Sequence, residues 1–278
     1  MKMYELFLTC PKGLESVCKK DLNNLSLSKI KLEEGGISLK GTIEDIYKIN
    51  LHSRIGMNLL IKIVNFKFKN INDFYDKIYN YKWNNFINPK MTLYINTIQT
   101  KNKSIFKNSQ FATLKAKDAI CDKLTKLTKK RPSINKESPD ISIRLLIDED
   151  NCFIYANSSG NPLYMRNYKQ NFHKASINES LASALVYLSN WNKEDIFLDP
   201  MCGSGTICME ASMIKRKIAP GIFRNFSFQN WLNYDYHTYQ AILNKAIKNI
   251  DEQSKNNIFG SDLSSDHITG CKDMLQSF

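Results

Sequence analysis

Asp199, Gly203, Gly205 and Asp262 are the residues of this chain whose types and spacing best suit chemistry. The stretch FLDPMCGSGTICMEA (197–211) passes from an apolar run through an acid, a proline and two glycines into a helical pattern. Glycine at 203 and 205 removes side chains where the chain reverses, which permits positive φ and lets a ligand approach the backbone. A helix starting there directs free N–H groups and its positive dipole end at that ligand. No Lys-Ser/Thr pair follows the glycines, so the turn is not a P-loop. A dinucleotide fingerprint needs a third glycine at position 208, which is Cys208. Asp199 precedes the turn at a strand end, where ligands bind in open α/β sheets. Asp262 follows a second short strand, Ile258-Phe259-Gly260, and an acid there can accept hydrogen bonds from ribose hydroxyls. It lies 57 residues beyond Gly205, against about 20 in the dinucleotide pattern, so spacing alone leaves a turn or cap role open. The residues by themselves point to a nucleoside-type ligand.

The elements that must position these residues fall into three groups. YELFLTC (4–10) reads as a strand, followed by a helix opening at Pro11-Lys12-Gly13. KIKLEEGGISLKG has alternating runs on both sides of Gly35-Gly36, a hairpin signal. Thr42 with Glu44 and Asp45 caps another helix, and residues 58–68 return as a strand. The order β-α-β-β-α-β predicts a ferredoxin-like unit over 1–68. From Asn70 come a helix, a strand at 91–99, a long helix over 109–130 and strands at 140–148 and 152–157. The long helix is predicted to turn Phe111, Leu114, Ala119, Ile120, Leu124 and Leu127 inward, with its lysines elsewhere. Beyond residue 161, Ser176 and Glu179 have capping-box spacing before a helix. Ile196-Phe197-Leu198 reads as a strand buried on both faces, and strands alternating with helices predict a parallel α/β sheet.

The formal net charge is +12. Between Lys101 and Lys136 stand eleven basic residues, opposed only by Asp118 and Asp122. So local an excess favours a polyanionic partner over a merely solvated face. Lys101, Lys103, Lys107, Lys115, Lys129, Lys130 and Arg131, with Arg166 further on, are the candidate contacts to such a polyanion. No run of about 18 uncharged apolar residues marks a membrane span, and no secretory core opens the chain. Seven scattered cysteines without a CxxC, and four isolated histidines, argue against a disulfide framework or a structural metal. A cytoplasmic protein with reduced thiols is the expectation. The cluster Phe223, Phe226, Phe228, Trp231, Tyr234 and Tyr236 around Arg224 suits either a stacked, extruded base or core packing.

The chain resembles the THUMP-containing RNA methyltransferases, of the bacterial type that methylates the N2 amine of guanosine in 23S rRNA. LDPMCGSGTICMEAS is similar to that family's D-P-x-C-G-S-G-T motif and following helix. KIAPGIFRNFSFQNW and LYMRNYKQNFHKASINESLASALVYLSNW are similar to its two flanking segments, in the same order. The resemblance implies an α/β multidomain fold: the ferredoxin-like unit, a THUMP RNA-binding domain over 69–160 and a Rossmann-like methyltransferase domain over 161–278. It implies S-adenosylmethionine as cofactor. Asp199, Pro200 and the turn Cys202, Gly203, Ser204, Gly205, Thr206 would hold its methionine end; Asp262 would take the ribose, with Ser176 and Glu179 near the pocket. Cys202 lies inside the glycine turn, which makes it a packing residue and not a nucleophile.

The chain departs from the family pattern at Tyr164, Met165, Asn167 and Lys169, while Arg166 and Tyr168 match it. The N-P-P-Y motif through which this family grips the acceptor amine does not occur in the 278 residues. A truncated chain, inactive alone and prone to associate through an uncovered sheet, is therefore expected. The expected activity of the intact protein is N2-methylation of 23S rRNA guanosine. Methylation of tRNA guanosine, or RNA binding without catalysis, are the alternatives; a DNA adenine methylase would not need the THUMP-like unit.

Overall fold

The computed structural model describes residues 2–27, 29–88, 90–100, 104–168 and 176–275. The N-terminal unit comprises β1 (Tyr4–Thr9), α1 (Glu15–Asp21), β2 (Lys31–Glu33), β3 (Gly36–Gly41), α2 (Ile43–His52) and β4 (Asn58–Lys67). Its strands lie in the order β2-β3-β1-β4, each antiparallel to its neighbour. The hairpin turns at Gly35, whose φ of +75° is the left-handed region that favours glycine. α2 opens on a capping box in which the Thr42 hydroxyl accepts from Asp45 N–H, and the Asp45 carboxylate accepts from Thr42 N–H at 2.8 Å.

The next unit adds α3 (Ile71–Tyr79), β5 (Thr92–Gln99), α4 (Ser109–Thr128), β6 (Ser133–Ile134), β7 (Ile141–Asp148) and β8 (Asn151–Asn157). Its strands do not form a sheet of their own. β8 pairs with β4, Ile61 opposite Ala156, so one eight-stranded sheet runs β2-β3-β1-β4-β8-β7-β5-β6. Leu6, Leu8, Ile37 and Leu59 meet α1 and α2, while Leu93, Ile95, Ile143 and Leu145 meet α3 and α4. The inward face of α4 differs from the predicted one. Ala112, Ala116, Ala119, Ile120 and Leu124 are buried, whereas Phe111, Leu114 and Leu127 are exposed. Alanine at 112 and 116 lets the helix lie close to the sheet, which turns the larger apolar residues outward.

His52 ends α2 in a half-buried position where burial, then Arg54, pushes its imidazole down to about 4. The unfolded chain takes up this proton near pH ~6.5, whereas the folded chain does so only near its depressed value. The stability from the neutral ring is therefore complete above the unfolded pKa and is lost as pH falls toward the folded one. The loss amounts to about 3 kcal/mol. Denaturant melts between neutral pH and the folded value are expected to show this slope in the parent, and a flatter one in His52→Gln. Equal slopes would refute it.

The last unit contains α5 (Glu179–Leu188), β9 (Phe197–Asp199), α6 (Thr206–Lys215), α7 (Tyr236–Lys248), β10 (Ile258–Gly260) and α8 (Ser265–Leu275). β9 and β10 pair in parallel, with Asp199 opposite Gly260. Val186, Ala211 and Ile214 pack against Phe197 and Ile258. Ile196 and Leu198 are 73% and 61% exposed, so this strand is not buried on both faces as predicted. Alternation turns Phe197 toward α6 and its neighbours the other way. Among the described residues no helix is long and apolar enough to cross a membrane.

Candidate functional site

The site is built where β9 becomes α6. Gly203 and Gly205 hold φ of 51° and 73°, and space is open where a Cβ on Gly203 would stand. Gly205 N–H closes the turn on Cys202 O at 2.7 Å. Gly205 is the N-cap of α6 and has no side chain to accept from the first helical N–H groups, which leaves that end free for a ligand. β10 holds the turn from the other side. Cys202 N–H donates to Ser261 O, and Ser261 N–H to Asp199 O. Asp262 Oδ2 accepts from Gly203 N–H at 2.8 Å, while Oδ1 accepts from Ser264 N–H and meets His267 Nδ1. The N–H groups of Ser264 and Gly203, followed by His267, hold the Asp262 carboxyl below the usual range. Asp262 thus ties the two strand ends together, a role that the ribose expectation did not include.

Asp199 accepts from Met201 N–H and lies partly exposed beside Pro200 at the mouth of the turn. Ser204 Oγ is 2.8 Å from Ser176 Oγ and 3.3 Å from Thr206 Oγ1. Ser176 and Glu179 do not form the predicted capping box. Asn178 is the N-cap of α5, its side chain accepting from Ser180 and Leu181 N–H, which frees Ser176 to reach the glycine turn. Glu179 is buried at the start of α5. Burial raises the Cys202 thiol, and Cys202 packs where a Cβ on Gly260 would stand. A buried, protonated thiol is a poor nucleophile.

A buried polar network anchors α6 to the N-terminal unit. Arg166 forms an ion pair with Glu210 at 3.0 Å, both nearly inaccessible to solvent. Tyr168 and Ser183 donate to the two Glu210 oxygens at 2.8 and 2.5 Å. Arg166 also donates to Arg54 O at 2.7 Å, and Arg54 donates to Met213 O within α6 and to Ile218 O just beyond it. Asp21 Oδ2 receives Arg54 N–H at 2.7 Å, and Tyr187 donates to Oδ1. Sequence reasoning missed this network; its one local sign was an acid, Glu210, inside an otherwise apolar helix. The structure also corrects Arg166, which stands inside the molecule with its charge paired and cannot present itself to RNA.

Lys107, Lys129, Lys130 and Arg131 are exposed at the ends of α4. Lys115 lies partly exposed over the Phe111 ring, and Arg131 pairs with Asp122 and Asp118. Lys101 and Lys103 lie outside the described residues. Part of the aromatic cluster is core packing: Phe226 and Phe228 stack in the N-terminal core with Tyr47 and Tyr239, and Arg224 donates to four backbone carbonyls, whereas Phe223 and Tyr236 are exposed.

Three family models match the chain in succession: the RlmL ferredoxin-like domain over 5–57, the THUMP domain over 68–157 and the RMKL-like methyltransferase domain over 166–278. A putative RNA methyltransferase of Synechocystis is 32% identical over 271 residues, covering 97% of this chain and 70% of its own length. The chain belongs to the THUMP-containing RNA methyltransferase family. This family member is also 37% identical to the ribosomal RNA large subunit methyltransferase K/L of Buchnera aphidicola, over 88% of the chain and 35% of that protein. The Marinomonas protein of the same name is 33% identical over 88% of the chain, so the chain spans about a third of these relatives. A putative methyltransferase solved with SAH superposes over the whole chain and 73% of its own at TM-score 0.86 and 28% identity. A predicted N6-adenine-specific DNA methylase from Listeria monocytogenes does so over 72% of its own chain at TM-score 0.89 and 25% identity.

Proposed function

We propose that this protein is an S-adenosylmethionine-dependent RNA methyltransferase whose substrate is the N2 amine of a guanosine in 23S rRNA. The observation that carries the reading is the open, left-handed glycine turn at the free end of α6, fastened by Asp262. The turn fits the donor because Gly203 leaves space at the backbone and uncapped N–H groups suit a carboxylate. The SAH in the neighbouring structure and the names of the K/L relatives support it.

Asp199, Pro200 and Cys202–Thr206 would hold the methionine end, with Ser176 beside Ser204 and Glu179 behind it. A carboxylate offers about four lone-pair directions. Asp262 uses three of them on Gly203, Ser264 and His267, which leaves one for a ribose hydroxyl. When bound, the donor supplies an electrophilic methyl group on sulfonium. The protein's own residues orient that group and keep Cys202 protonated and out of the reaction. The units 1–68 and 69–160 would bind RNA, with Lys107, Lys115, Lys129 and Lys130 meeting phosphates along α4 and Arg131 at its end.

Calorimetric titration of S-adenosylmethionine is expected to saturate at one site per chain and to fail with Gly205→Val, whose β-branched side chain opposes a left-handed φ. Methyl transfer from labelled donor by the intact protein, with its acceptor motif, is then expected on 23S rRNA and not on tRNA or duplex DNA. Label entering tRNA alone would sink the rRNA assignment, and no donor binding would sink the whole reading.

A further inference from the structure

Helices α1 to α4 all pack on one face of the eight-stranded sheet. On the opposite face, strand register sets side chains in rows. One row runs from Lys31 through Phe7 and Asn157 to Tyr94 on β5. The next carries Lys40, Glu5, Lys62, Tyr155, Arg144 and Asn96. Two clefts of about 540 and 370 Å³ open along these rows, one over Phe7 and Tyr155, the other over Tyr94, Asn96 and Arg144.

Arg144 is the anomaly. Its Nε is buried with no hydrogen-bond partner, and no ion pair joins its guanidinium among the described residues. Burial accordingly lowers its pKa. An unmatched buried donor costs stability, and here it lines a cleft beside an amide and flanking aromatic rings. Asparagine amides carry both a donor and an acceptor, as base edges do, and tyrosine rings offer stacking surfaces. A duplex keeps its base faces stacked internally, so a sheet face carrying aromatics and cations is complementary to unpaired strands. Glu5 is already neutralised by Lys62 at 3.0 Å, which leaves the balance along the row positive.

We propose that this sheet face binds unpaired nucleotides of the RNA substrate, centred on Arg144 between Tyr155 and Asn96, with Tyr94 in the adjacent row. The proposal rests on RNA being the substrate and adds to it a second contact surface, on the other side of the sheet from the lysines of α4.

Fluorescence anisotropy with a short unstructured ribo-oligonucleotide, and in parallel with a blunt RNA duplex, tests it on the full chain. Arg144→Met and Tyr155→Ala are each expected to weaken the single strand about tenfold and to leave duplex binding unchanged. Ultraviolet crosslinking of a uridine oligonucleotide to the unmodified chain is expected to label peptides of β5, β7 or β8. That readout decides the matter even where a variant melts early. Unchanged single-strand affinity in two folded variants, or crosslinks confined to α4, would overturn the proposal. S-adenosylmethionine titration of the same samples separates the two readings: donor binding intact with no single-strand site overturns this inference and leaves the methyltransferase reading standing.

Discussion

Glu210→Ala is expected to lower the folding stability by about 3–5 kcal/mol. The magnitude follows from what remains. Glu210 and Arg166 are 0% and 1% exposed, so alanine leaves a guanidinium in the core without its ion-pair partner. It also removes the acceptor to which the hydroxyls of Tyr168 and Ser183 donate. Glu210→Gln keeps an acceptor for those hydroxyls and should cost less. The double change Arg166→Met with Glu210→Met should recover much of the loss, because removing both charges removes their desolvation. Urea unfolding of the four proteins reads all three comparisons. A loss below about 1 kcal/mol for Glu210→Ala would show that the ion pair does not hold α6 in place.

Asp262→Ala is expected to reduce affinity for S-adenosylmethionine by about 10- to 100-fold, as charge-assisted hydrogen bonds from Gly203 and Ser264 are lost together. The turn would remain covalently possible but no longer be tied to β10. Asp262→Asn keeps one acceptor oxygen and should fall between. Asp262 lies outside the buried hydrophobic clusters, its side chain 15% exposed, so thermal melting should change less than donor affinity, which separates loss of the site from loss of the fold. The pH dependence has a definite sign. The folded carboxyl titrates below its ordinary value, so anchoring of the turn is complete above the unfolded pKa and is lost only as pH falls through the depressed one. Donor affinity measured by calorimetry from neutral to mildly acidic pH should therefore be insensitive to this group. A decline already at neutral pH would refute this assignment.

Much of the local structure was legible because its causes lie within a few residues. The Thr42–Asp45 cap, the Gly35 hairpin and the strand-turn-helix at 197–211 each depend on a side chain or a glycine next to the backbone it serves. The order of elements and the charge of α4 are likewise written along the chain. Helix faces were less legible. Small alanines, and not the largest apolar residues, decided which side of α4 meets the sheet. The strand at 197–199 misled for a similar reason, since an apolar run does not state how many layers will cover it.

The sequence by itself determined the elements, the motif that can cradle a methyl donor and the cationic helix, because propensity, turn chemistry and charge act locally. Only the tertiary structure decided that two units share one sheet, that Ser176 reaches Ser204 in place of capping its helix, and that Arg166 pairs inward with Glu210. Those outcomes join residues far apart in the chain, as Arg166 and Arg54 are by 112 positions. Whether a charge faces water or a buried partner depends on which surfaces come together, and no spacing along the chain records that.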